Sequence, residues 1–236
     1  MSKTLVIIPT YNELENVSLM IDRVMSYQKG FHLLIIDDGS PDGTADAVKA
    51  KQKEYEGRLH IIEREGKLGL GTAYIAGFKW SMANDYDRTI EMDCDFSHDP
   101  DDLNRLVDAC NEENDLVIGS RYIKGGGVVD WPKSRLMLSY FASIYVRLIL
   151  WIPIHDTTAG FKCYKNEVLE KMNLEKVPFK GYAFQIYMKY QVWKLGFRLK
   201  EIPIQFKDRE KGVSKMTNGI IKEAIFGVIK MRFTRI

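Results

Sequence analysis

Cysteine is scarce in this chain: Cys94, Cys110 and Cys163 are the only three among 236 residues, and none has C-x-x-C spacing. An odd number without that spacing argues against a disulfide framework and fits a reducing compartment. Net charge is small, +2 at pH 7, which gives no case for a nucleic-acid partner. Long apolar runs are missing too. The longest stretch, Leu136 to Ile152, is interrupted by Arg147, whereas a membrane span needs ~20 predominantly apolar residues. Such a segment suits a core helix or a helix lying on a membrane surface. No signal-peptide pattern is seen, since Met1-Ser2-Lys3 runs straight into an apolar strand. Repeats, low-complexity tracts and linkers are absent, so one domain over 1–236 is the simplest organisation.

What is present is a globular composition, 45% hydrophobic and 28% charged, laid out as alternating strand and helix patterns. Leu5 to Ile8, Leu33 to Ile36, Leu59 to Ile62, Thr89 to Met92 and Leu116 to Gly119 read as apolar strands. Between them, Asn16 to Met25, Thr44 to Tyr55, Gly71 to Met82 and Asp101 to Glu112 read as helices. In the first helix Val17, Met20, Ile21 and Val24 share one face. This alternation predicts an α/β fold with a mostly parallel sheet and helices on both faces. The second half is less regular. Lys124 to Gly127 reads as a flexible loop and Pro132 to Trp151 as a helix. Gly160 to Tyr164 and Leu199 to Ile204 read as strands around a helix from Tyr182 to Leu195. Lys207 to Lys215 reads as a charged loop, and Ile220 to Phe233 as a final helix ringed by Lys222, Lys230 and Arg232.

In such a sheet ligands bind outside the carboxyl ends of the strands, and the acidic residues collect there. Asp93-Cys94-Asp95 closes the fourth strand. Two carboxylates one residue apart make an oxygen-rich site suited to a hard divalent cation bound with substrate phosphates. Asp37-Asp38-Gly39-Ser40-Pro41-Asp42-Gly43-Thr44 closes the second strand. Turn chemistry accounts for its glycines and Pro41, with Thr44 as N-cap. It does not account for two adjacent acids directly after an apolar strand. Two strand-end acidic turns suggest a nucleotide-diphosphate site.

The other motifs each have a plainer alternative. In Pro9-Thr10-Tyr11-Asn12-Glu13, Tyr11 is placed to stack on a base and Glu13 to accept from sugar or base donors. The alternative is a strand-to-helix turn capped by Asn12. Gly69-Leu70-Gly71 lacks the third glycine and the preceding strand of a dinucleotide fingerprint, so it reads as a helix start. Arg121 ends the fifth strand, and Arg135 opens the apolar helix with Ser139 one turn further on. Converging, they make a phosphate site; apart, they are surface residues. Arg209 and Lys215 flank either a basic loop that closes over a diphosphate or an ordinary charged loop. His98, three residues past Asp95, is a candidate metal ligand or supporting group, although a lone loop histidine is more often neither.

Taken together, these segments resemble the dolichol-phosphate mannose synthases, within the family-2 inverting glycosyltransferases of the A-type fold. The matching stretches are Pro9 to Glu13, Asp37 to Thr44, Gly69 to Phe78, Asp93 to Pro100, Ile118 to Gly127, Asp156 to Phe161 and Arg209 to Lys215. The more specific pieces are Asp-Gly-Ser-Pro-Asp-Gly-Thr and Gly-Ser-Arg-Tyr followed by a glycine run and Trp131.

The resemblance implies a single Rossmann-like nucleotide-diphospho-sugar transferase domain. Its nucleotide half would be 1–120 and its acceptor half 121–236, with membrane-surface helices at about 133–152 and 217–233. It implies transfer of mannose from GDP-mannose to a polyprenyl phosphate with inversion, Mg²⁺ or Mn²⁺ as cofactor, and attachment to the cytoplasmic face of a membrane. By that match Pro9, Tyr11, Glu13, Ile36 and Asp38 hold the nucleotide. Asp93 and Asp95 hold metal and diphosphate, and Cys94 lines their turn. Arg209 and Lys215 meet the donor phosphates, while Arg121, Arg135 and Ser139 receive the acceptor phosphate. Asp95, Arg121 and Arg135 carry the chemistry. Ser97 stands where the family usually has glutamine, and Asp99 where proline is common. No protein partner is indicated. A different donor such as UDP-glucose, or a non-catalytic nucleotide-sugar-binding subunit, remain alternatives. Gln191-Val192-Trp193-Lys194 only superficially echoes the Gln-x-x-Arg-Trp motif of polysaccharide synthases.

Overall fold

The structure, a computed structural model, describes the backbone of residues 2–27, 29–208 and 218–233, and in the last segment the side chains of 225–233. The first half runs β1 (Thr4–Thr10), α1 (Leu14–Met25), β2 (His32–Asp37), α2 (Thr44–Gln52), β3 (Leu59–Glu63), α3 (Leu70–Ala83), β4 (Arg88–Glu91), α4 (Asp102–Ala109) and β5 (Leu116–Ser120). The second half adds β6 (Gly127–Val129), α5 (Lys133–Leu150), β7 (Lys162–Lys165), α6 (Asn166–Lys171), α7 (Tyr182–Lys194), β8 (Leu199–Pro203), β9 (Gln205–Lys207) and α8 (Asn218–Phe233).

Seven strands form one sheet in the order β3-β2-β1-β4-β7-β5-β8. All neighbours are parallel except β7, which runs antiparallel to both β4 and β5. β6 and β9 pair separately as a short parallel ribbon. The alternating apolar pattern of β1 and β2 fills both faces, because successive side chains point to opposite sides. Leu5, Ile7, Leu34 and Ile36 pack with Ala73 and Phe78 of α3 and with Phe184 and Met188 of α7. Val6, Ile8, Leu33 and Ile35 pack with Val17 and Ile21 of α1 and Leu103 of α4. α3 lies close on β1: a Cβ at Gly77 would sit 2.7 Å from Ile7 Cδ1.

The expected strands and helices are present, with instructive differences. The reversed strand β7 was expected only as a strand, from Gly160. The run Lys124 to Gly127 is a tight turn: Gly125 has φ +91°, and a Cβ at Gly126 would lie 2.5 Å from the Ser120 carbonyl. Gly127 already belongs to β6. α6, β6 and β9 are too short for a periodic pattern to mark them.

Candidate active site

The parallel register sets Thr10 beside Asp37 at the carboxyl ends of β1 and β2. Buried Asp37 accepts the Thr10 hydroxyl at 2.9 Å, the Ser40 hydroxyl at 2.6 Å and the Ser40 amide at 2.8 Å. The second turn braces the first. The amide N–H groups of Asn12, Glu13 and Leu14 donate to Ser40 Oγ (3.0 Å), Thr44 Oγ1 (3.0 Å) and Asp42 Oδ2 (3.1 Å). The start of α1 is thus capped from the neighbouring turn. Asn12, at φ +55°, is a left-handed turn residue and not the cap. Thr44 is the first helical residue after left-handed Gly43, again not the cap.

With Asp37 consumed structurally, Asp38 is the acid left at this edge. It is buried and accepts Arg64 Nε–H at 2.7 Å, while Arg64 Nη1 donates to Thr72 Oγ1 at 2.8 Å. Arg64 escaped the sequence reading because nothing local marks it. Tyr11 presents its ring to Lys67 Nζ at 5.0 Å. Glu13 Oε2 accepts from Asn16 Nδ2 at 3.0 Å. Pro9 pairs in register with Ile36, whose side chain is wholly inside the core.

The acidic pair follows β4. Asp95 is buried, and its Oδ1 accepts both the amide of Ser97, at 3.1 Å, and the Ser97 hydroxyl. The residue that stands in for glutamine therefore closes the turn onto Asp95. Asp93, 40% exposed, donates its amide to His98 Nδ1 at 3.1 Å. His98 is buried and stacks on Phe161 at 4.9 Å. Burial lowers its pKa to about 4, so the imidazole is neutral near pH 7 and its Nδ1 is a fixed acceptor. His98 does support the acidic turn, the less frequent outcome for a lone loop histidine. Tyr74 donates to the Met92 carbonyl at 3.2 Å, and burial together with nearby Asp93 pushes its phenol well up. Cys94 lies in the core.

Among the described residues no three His, Cys, Asp or Glu side chains converge on a metal position. The candidate donors are the oxygens of Asp93 and Asp95, since His98 Nδ1 is committed to an amide. An oxygen-only, incomplete set fits Mg²⁺ or Mn²⁺, which take remaining ligands from water and a diphosphate.

The reversed direction of β7 brings the loop before it back to the same edge. There Asp156, fully buried, grips Arg121: Nε–Oδ2 and Nη2–Oδ1 are both 2.7 Å, and the Arg121 amide donates to Oδ2 at 3.0 Å. Nη2 also reaches Thr158 Oγ1 at 2.8 Å. Trp131 lies between the two arginines, its ring 5.5 Å from Arg121 Cζ and 4.0 Å from Arg135 Cζ. Arg135 pairs with Asp208 at 2.8 Å. Ser139 stands beside the Tyr122 hydroxyl, and the Tyr122 ring is 5.0 Å from Arg121 Cζ. The structure thus brings Arg121, Arg135 and Ser139 into one cluster through Tyr122 and Trp131. Arg209 and Lys215 lie outside the described residues.

Behind both clusters the antiparallel register sets Lys162 against Glu91, a fully buried pair at 3.0 Å. Tyr164 and Gln185 donate to the same carboxylate at 2.9 and 2.8 Å. Lys189 Nζ donates to the Ala159 carbonyl at 2.6 Å and so fixes the loop that carries Asp156.

An acidic pair after β4 and an arginine cluster built around Arg121, after β5, thus share the carboxyl edge of one mostly parallel sheet. The chain matches Glycosyl transferase family 2 over residues 5–172 and belongs to that family; it is a glycosyltransferase. The polyprenol monophosphomannose synthase of Mycolicibacterium smegmatis is 48% identical over 96% of this chain and 85% of its own length. The undecaprenyl-phosphate mannosyltransferase of Micrococcus luteus is 43% identical over 97% of this chain and 93% of its own. Among solved structures, glucosyl-3-phosphoglycerate synthase from Mycobacterium tuberculosis, in complex with Mn²⁺, uridine diphosphate and phosphoglyceric acid, has the same fold. Its TM-score is 0.74 at 16% identity, covering 99% of this chain and 80% of that one.

Proposed function

We propose that the protein transfers mannose from GDP-mannose to a polyprenyl phosphate, with inversion at the anomeric carbon. The observation that carries this reading is the pair of arginines on one indole, Arg121 and Arg135, each already matched to a carboxylate. A hydroxyl acceptor needs a general base, but Asp156 and Asp208 are tied to those arginines. A phosphate acceptor needs none, because a phosphomonoester with a second pKa of about 6 is an anion near pH 7. Two arginines are what such an acceptor requires. The names of the two relatives support a polyprenyl phosphate as that acceptor and mannose as the sugar.

In this reading Tyr11, Glu13 and Asp38 hold the nucleoside, with Pro9 and the Ile36 main chain shaping its edge. Arg209 and Lys215, outside the described residues, are assigned to the donor phosphates by the resemblance alone. Asp93 and Asp95 would hold Mg²⁺ or Mn²⁺, which would supply charge neutralisation for a departing diphosphate, and Cys94 packs beneath their turn. Arg121, Arg135 and Ser139 aim the acceptor phosphate at the opposite face of the sugar, so the protein's work is positioning and charge neutralisation. The chain acts as one unit, residues 1–120 serving the donor and 121–236 the acceptor. No helix among the described residues is long and apolar enough to cross a membrane. Attachment to the cytoplasmic membrane surface is instead assigned to α5 and α8, where Met137, Phe141, Leu148, Phe226 and Phe233 are exposed.

The test is lipid extraction. Protein, Mg²⁺ and a short-chain polyprenyl phosphate are incubated with labelled GDP-mannose or, in parallel, labelled UDP-glucose. Label is expected in the lipid phase from GDP-mannose alone. Label from UDP-glucose alone overturns the sugar; none from either, with GDP bound, favours a non-catalytic subunit.

A further inference from the structure

Two buried donors beside the arginines have no hydrogen-bond partner among the described residues: Trp131 Nε1–H and the Tyr122 hydroxyl. The Tyr122 hydroxyl lies next to that of Ser139 but without the geometry of a hydrogen bond. Buried donors are costly to leave unmade, and native proteins leave few, commonly where a ligand completes them. Here both sit within one cluster. Arg121 has Nε and Nη2 committed to Asp156 and Thr158, so Nη1 is its remaining donor. Arg135 lies over the Trp131 ring at 4.0 Å, held by Asp208.

We propose that Trp131 Nε1–H and the Tyr122 hydroxyl donate directly to the acceptor's phosphate, alongside Arg121, Arg135 and Ser139. This rests on the acceptor reading above. Asp208 keeps the phosphate's place on Arg135 until the acceptor arrives. A phosphate brings more charge and three strong acceptor oxygens, so it outcompetes one carboxylate for Arg135. The two orphaned donors then gain the acceptor oxygens they lack.

The experiment uses the full chain with ¹⁵N-labelled tryptophan, Mg²⁺ and GDP. Its four tryptophans give four indole signals, and Trp131→Phe identifies the one that disappears. Titration with a short-chain polyprenyl monophosphate is expected to move the Trp131 indole proton downfield, while the matching polyprenol leaves it in place. Phenylalanine keeps the ring under Arg135, so Trp131→Phe and Tyr122→Phe are each expected to raise KM for the monophosphate about tenfold or more, the scale of a lost bond to a charged group. KM for the nucleotide sugar and affinity for GDP stay unchanged. An unmoved indole signal, an equal shift with the alcohol, or wild-type KM in Trp131→Phe overturns the assignment while leaving the acceptor reading intact. A monophosphate that moves no signal and accepts no sugar overturns both.

Discussion

Asp156 and Arg121 show how one residue's role is set by what surrounds it. Both are buried, so their pairing mainly prevents an uncompensated charge. Truncating one partner of such a pair typically costs ~3–5 kcal/mol. Asp156→Ala is expected to lower unfolding free energy by about that amount and to weaken acceptor use; urea denaturation at pH 7 measures the first. A loss under ~1 kcal/mol would mean the guanidinium finds water instead. His98 makes a second prediction at this scale. Its pKa is held to about 4 by burial, against ~6.5 in an unfolded chain. As pH falls, the unfolded state takes up this proton first. The stability present above pH ~6.5 is therefore lost progressively towards pH ~4, up to roughly 3 kcal/mol. Metal-free protein should show this drop in urea midpoint between pH 7 and 5, and His98→Gln should show less of it.

At the scale of elements, the fit of α3 to β1 is tight enough to test. Gly77 lies where a Cβ would meet Ile7 Cδ1 at 2.7 Å and Cγ2 at 2.8 Å. Gly77→Ala is expected to cost ~1–3 kcal/mol through overpacking, despite alanine's better helix propensity, and thermal unfolding reads the difference. A gain in stability would show that Ile7 turns aside freely. The same elements explain what was legible in the sequence. β1, β2 and β4 are buried on both faces and flanked by turn formers, so Leu5 to Ile8 or Leu33 to Ile36 announce themselves. The acids at their ends follow from chain order alone. The direction of β7 does not, because Lys162-Cys163-Tyr164 fits either sense and only the partners β4 and β5 decide it. Asp156 on Arg121, Arg64 on Asp38 and His98 under Asp93 were hidden for related reasons: the first two need the sheet assembled, and the third needs the turn closed by Ser97. α7 was legible as a helix from Tyr182 to Leu195; what stayed hidden is that Ala183 to Val192 is buried all round, with Lys189 and Gln185 inside.

For the whole molecule, the unpartnered surface is what remains to be placed. α5 buries only Ser143, Val146 and Leu150. It meets α8 through the Tyr145 hydroxyl, which donates to the Ile225 carbonyl at 3.0 Å. Outside that seam, Met137, Leu138, Phe141, Leu148 and Trp151 of the α5 segment and Phe226, Ile229 and Phe233 of α8 stay exposed. Arg232 lies over the Trp151 ring at 4.6 Å. Apolar side chains rimmed by arginine and lysine suit the boundary between lipid headgroups and acyl chains, and under the proposed function a lipid-borne phosphate would have to reach Arg135 at the start of the same helix. Burying one phenylalanine contributes ~1.5–3 kcal/mol. The double variant Phe141→Glu, Phe226→Glu is therefore expected to weaken binding to anionic vesicles on the order of 100-fold. Its turnover with a short, water-soluble acceptor should stay near wild type, because neither residue belongs to the arginine cluster. Unchanged sedimentation with vesicles would mean that something other than lipid covers this face. Loss of turnover on the soluble acceptor would place α5 closer to the chemistry than the fold implies.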